Sequence, residues 1–497
     1  MLMNIIAFDL GGSSGKIFLG EYAGKKLRIN LLHHFDHSAV SLGSHLFWDF
    51  LRIYQELCYG ISAAVNATND DITSLGIDSY CNDFALITPT GELLTQMHCY
   101  RDSRTMELKE QIYDVMDPKQ LYFINGNQNA PFNTLMQLAA MNLQDENYLL
   151  QSNKLLFLPD LLIYYLTGKM QTEYTLASVS QMFDSNIRDW SSKILNHYGI
   201  PQRLFSEIVY PGTVTSYTDS FTNQKLHTKG FAVTTVCEHD TASAFLAAAD
   251  NPGCAIISCG TWALVGCETS VPVIQEYGYR YNIANEGGFR GHHRILRNVM
   301  GTWLIQEIRA ELCSPKRQYS YSDMEQDAAA AEPFRYLIDV DDEIFYSPGN
   351  MISKIRSYCQ KYYNSSPDTS GALIRCIYES LALKYRWNLE KLHTLTNIDF
   401  HVVNILGGGS QSTLMCQFTA DATGLPVIAG PVEATALGNM IVQLIALKQI
   451  SGISEGRQLI RSSVKTTEYL PQNTYIWNKQ YLRFKNQIVS IAERRSL

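Results

Sequence analysis

Apolar residues along this chain follow two periods. The run Ile5-Ile6-Ala7-Phe8 is short and continuous, stops at Asp9, and reads as a buried strand; Gly11-Gly12-Ser13-Ser14-Gly15 then turns the chain into a second strand. A third strand is expected around Leu27 to Phe35. From about Trp48 to Val65 the period changes: Leu51, Tyr54, Leu57, Cys58, Ile61 and Val65 keep helical spacing and predict an amphipathic helix. Strands are expected at Ser74 to Ile77 and Asp83 to Ile87, with Pro89-Thr90-Gly91 as a turn, and helices at Leu135 to Leu143 and Asp160 to Leu166. A further strand, Phe231 to Val236, runs into Cys237-Glu238-His239-Asp240-Thr241-Ala242-Ser243-Ala244, where small and apolar residues predict a helix.

Near residue 245 the pattern restarts. Cys254 to Gly266 again reads as strand, small-residue turn, strand, and Val402 to Leu406 reads as a buried strand feeding Gly407-Gly408-Gly409, with a helix from about Gln411. Two halves that each open with a hairpin suggest duplication of one α/β unit, although the second copy has no aspartate matching Asp9. A chain of 497 residues is also too long for one core to keep growing, so two domains of roughly 250 residues, with a cleft between them, are expected.

Composition narrows the classes. With 46% hydrophobic and 18% charged residues, the chain is an ordinary folded one without a disordered tract. A formal net charge of -8 argues against nucleic acid as the main partner. The apolar start Met1 to Phe8 has no basic leader, and no apolar run is long enough to span a bilayer; the expectation is a cytoplasmic protein without a membrane segment. None of the 11 cysteines forms a CxxC pair, which argues against a zinc knuckle or dithiol motif and for reduced thiols.

Two segments can carry chemistry. In the first turn, glycine lets the backbone approach a ligand and successive N–H groups can point at phosphate oxygens, while Asp9 at the strand end can hold a metal or its waters. The spacing is neither a P-loop nor GxGxxG, and a plain hairpin accounts for it as well. Asp240, at a strand-to-helix turn, is either a helix cap or a base that accepts a hydroxyl proton.

Together these pieces resemble the FGGY carbohydrate kinases of the actin/Hsp70-like ATPase superfamily, and within them the rhamnulokinase branch. The resemblance runs over nearly the whole chain through Asp9 to Lys16, Gly76-Ile77-Asp78-Ser79, Tyr100-Arg101-Asp102-Ser103-Arg104-Thr105, His239 to Ala244, Ser258-Cys259-Gly260-Thr261-Trp262, Asn285-Glu286-Gly287-Gly288, Gly407-Gly408-Gly409 and Ala429 to Ala434. It implies an α/β fold of two duplicated RNase H-like domains with a catalytic cleft between them: residues 1–245 as the sugar-binding domain and 246–497 as the nucleotide-binding domain. The implied reaction is ATP-dependent phosphorylation of L-rhamnulose to L-rhamnulose 1-phosphate with Mg²⁺. Asp240 matches the proton acceptor. Gly12, Ser13, Ser14, Gly15 and Lys16 match the first phosphate loop, and Thr261, Gln306, Gly408 and Gly409 match nucleotide-side positions. Cys81, Asp83, His239, Thr241 and Asn298 match sugar-side positions, and Asp9 is the implied partner of Mg²⁺, through water or directly. A monomer and a homodimer are both left open.

One departure bears on the sugar. Tyr80-Cys81-Asn82-Asp83 stands where that branch has Trp-Gly-Val-Asp, so Cys81 replaces a glycine and Asn82 adds polar groups. L-fuculose or a pentulose is therefore the rival substrate, and a nucleotide-switched actin-like binding protein is the rival outside enzymes. The remaining features have plain readings. His33-His34 and His292-His293 alternate sides of a strand and read as surface or core histidines. Asp339-Val340-Asp341-Asp342-Glu343 reads as a solvated acidic surface. The 29 tyrosines read mostly as core and boundary residues. Asp78 is either a second acid/base group or a carboxylate held at a strand end.

Overall fold

The computed structural model describes residues 2–144, 147–314 and 318–495; Met1, with which the apolar start begins, lies outside them. By its contacts the chain divides into two compact units. The first comprises Met1–Ala247, Glu268–Ile295 and Ala434–Val464, the second Ala248–Cys267, Leu296–Glu433 and Lys465–Leu497.

In the first unit, β1 (Met3–Leu10) and β2 (Ser14–Tyr22) form the expected antiparallel hairpin, with Asp9 opposite Lys16 and Leu10 opposite Gly15. β3 (Leu27–Asp36) continues it. On the other side of β1 lie β4 (Ser74–Ser79) and β6 (Ala232–Thr235), both parallel, and β5 (Thr213–Tyr217) closes the sheet antiparallel to β6. The order is β5-β6-β4-β1-β2-β3. All six residues of β4 are buried, as a parallel strand covered on both faces requires. The predicted strand at Asp83 to Ile87 forms as Phe84–Ile87 but pairs with Lys154–Phe157 outside the main sheet.

Helix α1 (Phe50–Thr68) is capped by Asp49, whose carboxylate accepts from Arg52 N, and is closed by Asn69 in the left-handed region. Its core face is Phe50, Ile53, Leu57, Cys58, Ile61, Ala64 and Val65. Leu51 is 73% exposed, because Phe50 and Ile53 occupy the core stripe and Leu51 sits a quarter-turn off it. Two short helices, α2 (Tyr174–Val179) and α3 (Asp240–Leu246), flank the carboxyl ends of the parallel strands. The late helix Ala434–Ala446 also belongs to this unit: its Gln443 amide donates to Ile6 O at 2.8 Å, and a Cβ on Gly438 would come within 2.6 Å of the Ser243 carbonyl carbon in α3. Glycine is what permits that approach.

In the second unit, β7 (Cys254–Cys259) and β8 (Trp262–Thr269) form a second hairpin. The chain passes into this unit along β9 (His293–Met300). β10 (Val402–Leu406) and β11 (Val427–Ala429) run parallel to β7, and β12 (Thr467–Tyr469) is antiparallel to β11; the order is β9-β8-β7-β10-β11-β12, with the short strand Ala284–Gly287 as a seventh beside β9. Both sheets thus carry a hairpin, two parallel strands and an antiparallel outer strand, the arrangement that duplication predicts. They differ in that β5 precedes its neighbour β6 in sequence whereas β12 follows β11. The helices are α4 (Trp303–Leu312), α5 (Ser370–Thr396) and α6 (Thr413–Thr423); a 3₁₀ turn over Gly408–Gln411 delays α6 to Thr413, with Ser412 as its cap.

The acidic run at 339–343 is a solvated surface only at Glu343, which is exposed. Asp339 and Asp342 are 7% and 8% exposed. Lys384, projecting from α5 and 2% exposed, lies 2.7 Å from Asp339 and 3.0 Å from Asp341, and Arg297 lies 3.7 Å from Asp341. Asp339 and Asp341 turn inward because two cations reach them from other elements. The histidine pairs do alternate: His33 lies 2.6 Å from Glu56 on α1 while His34 faces outward, and His293 is buried while His292 is exposed. Among the described residues no helix is long and apolar enough to cross a membrane.

Candidate active site

Three parallel strands of the first unit, β1, β4 and β6, deliver carboxylates to their carboxyl ends, where ligands bind in sheets of this kind. Asp9 on β1 stands opposite Asp78 on β4. The segment after β6 continues beside β4, with Ser79 N donating to Glu238 O at 2.9 Å and Ser79 paired with His239, so Asp240 follows directly. Burial, then repulsion from Asp9, holds the Asp78 carboxyl well above the ordinary range; Asp240 adds to that, and the Asn439 amide, 2.6 Å away, opposes it. The second sheet has Ser258 opposite Leu406 at the matching places, so the carboxylate pair exists in the first unit alone.

Asp240 is the first residue of α3 and its side chain is 27% exposed. Its Oδ1 accepts from Thr241 N and, at 3.1 Å, from Thr241 Oγ1, and lies 3.0 Å from His239 Nδ1. These contacts converge on one oxygen, so Oδ2 is the oxygen left to an incoming group. His239 is 4% exposed and its backbone N donates to Thr175 Oγ1 at 3.1 Å; Thr175 in turn donates to Glu173 at 2.5 Å. Burial disfavours charge on the His239 imidazole, but Cys81, Asp240 and Glu286 outweigh it and hold its pKa well above the ordinary value.

The turn Gly11–Ser14 is closed by Gly11 N donating to Ser14 O at 2.9 Å. His37 braces it from below, its Nε2 lying 2.8 Å from Gly11 O and its N donating to Ser13 O at 3.0 Å. Gly15 lies against Phe35 and Leu10, whose Cδ1 would be 3.1 Å from an added Cβ. Ser13 is exposed, and Gly12, Ser14 and Lys16 are half-buried. Cys81 is half-buried, within hydrogen-bonding reach of His239, and receives the Asn82 amide at 3.2 Å. Asn82 sits at φ 80° with its Oδ1 buried and unpartnered. Asp83 is 2% exposed; Trp48 Nε1 donates to it at 2.5 Å and Gln137 Nε2 at 3.2 Å, and burial raises its pKa to about 7.

In the second unit, a second cradle surrounds the β7–β8 turn. Gly301 N donates to Thr261 O at 3.1 Å, and Thr302 donates to Gly260 O from both N (2.9 Å) and Oγ1 (2.8 Å). Gln306, one turn into α4, receives Thr261 Oγ1 at 3.4 Å and donates to Thr302 Oγ1 at 3.0 Å. Gly408 faces open space, whereas a Cβ on Gly409 would come within 2.7 Å of the Cys259 Cβ. Asn298 is half-buried on β9, two residues before Met300. Asp9, Cys81, Asp83, His239, Asp240 and Thr241 thus share the first unit with the Gly12–Lys16 turn, and Thr261, Gln306, Asn298, Gly408 and Gly409 share the second.

Residues 4–247 match the N-terminal domain of the FGGY family of carbohydrate kinases and residues 255–447 match its C-terminal domain. The chain belongs to the FGGY carbohydrate kinases. As a member of that family it is a sugar kinase. It is similar to the rhamnulokinase of Bacteroides thetaiotaomicron, 36% identical over 98% of this chain and 99% of that one, and to the rhamnulokinase of Bacillus subtilis, 33% identical over 94% and 95%. Its two-domain fold matches a ligand-bound xylulose kinase from Lactobacillus acidophilus, with TM-score 0.83, 16% identity and coverage of 99% and 98%. A Plasmodium falciparum glycerol kinase with ADP matches at TM-score 0.78, 15% identity and the same coverage.

Sequence reasoning about this FGGY kinase missed the residues behind His239. Glu286 reaches it from the strand Ala284–Gly287, and Arg294, at the start of β9, holds Glu286. The segment Asn285-Glu286-Gly287-Gly288 marks the first of them, but no local pattern ties either to position 239.

Proposed function

We propose that the protein transfers the γ-phosphoryl group of ATP to the 1-hydroxyl of L-rhamnulose, with Asp240 as general base. The observation that carries the base is the Asp240 carboxylate, held through Oδ1 beside the carboxyl ends of three parallel strands and part-exposed. The sugar is suggested by the rhamnulokinases to which nearly the whole chain is similar. In the step, the sugar oxygen bonds to the γ-phosphorus, the bond from phosphorus to the bridging oxygen breaks with its electrons leaving on ADP, and the hydroxyl proton passes to Asp240 Oδ2. His239, Thr241, Cys81, Asp83 and Asn298 are assigned to the sugar side. Gly12 to Lys16, Thr261, Gln306, Gly408 and Gly409 are assigned to the nucleotide.

Magnesium fits the first unit. Asp9 and Asp78 are oxygen donors on adjacent strands, and Asp78 Oδ1 is buried without a hydrogen-bond partner, a crowding of two carboxyl groups whose repulsion a hard divalent cation would relieve. Asp9 would hold it, and when bound it would offset charge on the nucleotide phosphates.

Cys81-Asn82 supports a second reading, a related ketose such as L-fuculose, because a thiol and an amide stand where the branch has glycine and valine. Release of ADP from Mg-ATP with L-rhamnulose, L-fuculose, L-ribulose and D-xylulose separates them. L-rhamnulose is expected to give the highest kcat/KM; preference for another ketose replaces the substrate, and no stimulation by any removes the proposal. Asp240→Asn is expected to lower kcat by about 10²–10⁴-fold with ATP binding nearly unchanged. Near-normal turnover would exclude Asp240 as the base.

A further inference from the structure

Four buried or half-buried charged groups of the first unit stand in a row. Arg294 Nη2 lies 2.9 Å from Glu286 Oε2, His239 Nε2 lies 3.5 Å from the same oxygen, and His239 Nδ1 lies 3.0 Å from Asp240 Oδ1. Arg294 is 1% and Glu286 3% exposed. A buried guanidinium cannot shed its charge, so it demands a carboxylate partner; its Nε also donates to Gly287 O at 2.9 Å, which fixes the strand that carries Glu286. Gly287 N is held in turn by Ser178 Oγ at 2.7 Å. Glu286 is therefore not mobile, and its pKa is kept low against burial by Arg294 and then His239.

Both ring nitrogens of His239 face carboxylate oxygens. A neutral imidazole has one N–H and would turn a lone pair toward one of those carboxylates, whereas an imidazolium turns positive charge toward both. The charges then alternate from Arg294 to Asp240 and cancel in pairs. We propose that Glu286, anchored by Arg294, is a positioning residue: it fixes His239 as an imidazolium, which holds Asp240 turned so that Oδ2 meets the substrate. This rests on Asp240 being the base. The groups facing His239 are Asp240 on its own segment, Glu286 on the strand Ala284–Gly287, the Cys81 thiol after β4, and Asp78 on β4; Arg294 acts through Glu286.

Two measurements test it. In the unsubstituted protein labelled with ¹⁵N-histidine, the His239 ring, assigned with His239→Asn, is expected to stay doubly protonated from about pH 6 to about pH 8. A ring that titrates near the ordinary value of about 6.5 overturns the proposal without reference to activity. In Glu286→Gln, kcat is expected to fall about tenfold or more at pH 8 with a smaller change in sugar KM, and the alkaline limb of the kcat profile is expected to move down by about one pH unit or more, with Glu286→Asp restoring part of both. An unchanged profile in Glu286→Gln, while Asp240→Asn is inactive, sinks the positioning role and leaves the base assignment standing. An active Asp240→Asn removes the base assignment itself.

Discussion

Replacing Lys384 with methionine removes the cation from the buried cluster in the second unit while roughly keeping its volume. Lys384 is 2% exposed and lies within 3.0 Å of both Asp339 and Asp341. Burial by itself would raise the Asp341 carboxyl, but Lys384 and then Arg297 outweigh it and hold it low. Without Lys384 two carboxylates share one more distant cation, Arg297 at 3.7 Å from Asp341. Breaking a buried pair from one side costs about 3–5 kcal/mol. For a unit of this size that corresponds to a fall in Tm of about 6–20 °C. The sign with pH is definite: a carboxyl with a lowered folded pKa stabilises above its unfolded value, and that contribution fades as pH falls through the folded value. In Lys384→Met the stranded Asp341 carboxylate can protonate, and each step of one pH unit below its new pKa cuts the cost by about 1.4 kcal/mol. The gap to the parent protein is therefore expected to be large at about pH 8 and to narrow by about pH 5. Denaturant melts followed by tryptophan fluorescence read it, with Trp387 as a local reporter because Lys384 Nζ lies 5.2 Å from its ring. A loss under about 1 kcal/mol, or one equal at both pH values, would refute the reasoning.

Two further expectations follow from glycine packing and from buried acids. Gly409→Ala drives a Cβ against Cys259 and should cost about 1–3 kcal/mol of stability, whereas Gly408→Ala meets nothing and should leave the melt within about 0.5 kcal/mol while raising the KM for ATP; equal melts for the two variants would contradict the packing. Burial raises Asp83, Glu173 and Glu379 to about 7, and holds Asp160 and Glu238 well above the ordinary carboxyl range. A raised carboxyl stabilises below its unfolded pKa and loses that contribution as pH rises through the folded value. His98 and His293, lowered by burial to about 3 and about 4, lose theirs only below the ordinary imidazole value. Tm should therefore fall from about pH 6.5 to about pH 8.5, and a flat or rising curve would count against these assignments.

The sequence alone determined the elements whose cause is local. A short apolar run that stops at Asp9, small residues that allow a tight turn, and helical spacing after Trp48 specify hairpin and helix through backbone sterics and burial, whatever the rest of the chain does. The restart at Cys254 carried the duplication, and motif order carried the family. Where local and tertiary demands meet, details moved: Leu51 left the core face because Phe50 and Ile53 filled it, and α6 began late because Gly408–Gln411 turn first. Only the tertiary structure decided what depends on partners far apart in sequence. Asp339 and Asp341 turn inward because Lys384 and Arg297 come to them, and Asp9 faces Asp78 because β1 and β4 pair in one register. The helix Ala434–Ala446 joins the first unit because Gly438 lets it touch Ser243, and His239 meets Glu286 through a strand nearly fifty positions away. Charges attract through space rather than along the chain, so composition and period cannot reveal which of them will be neighbours.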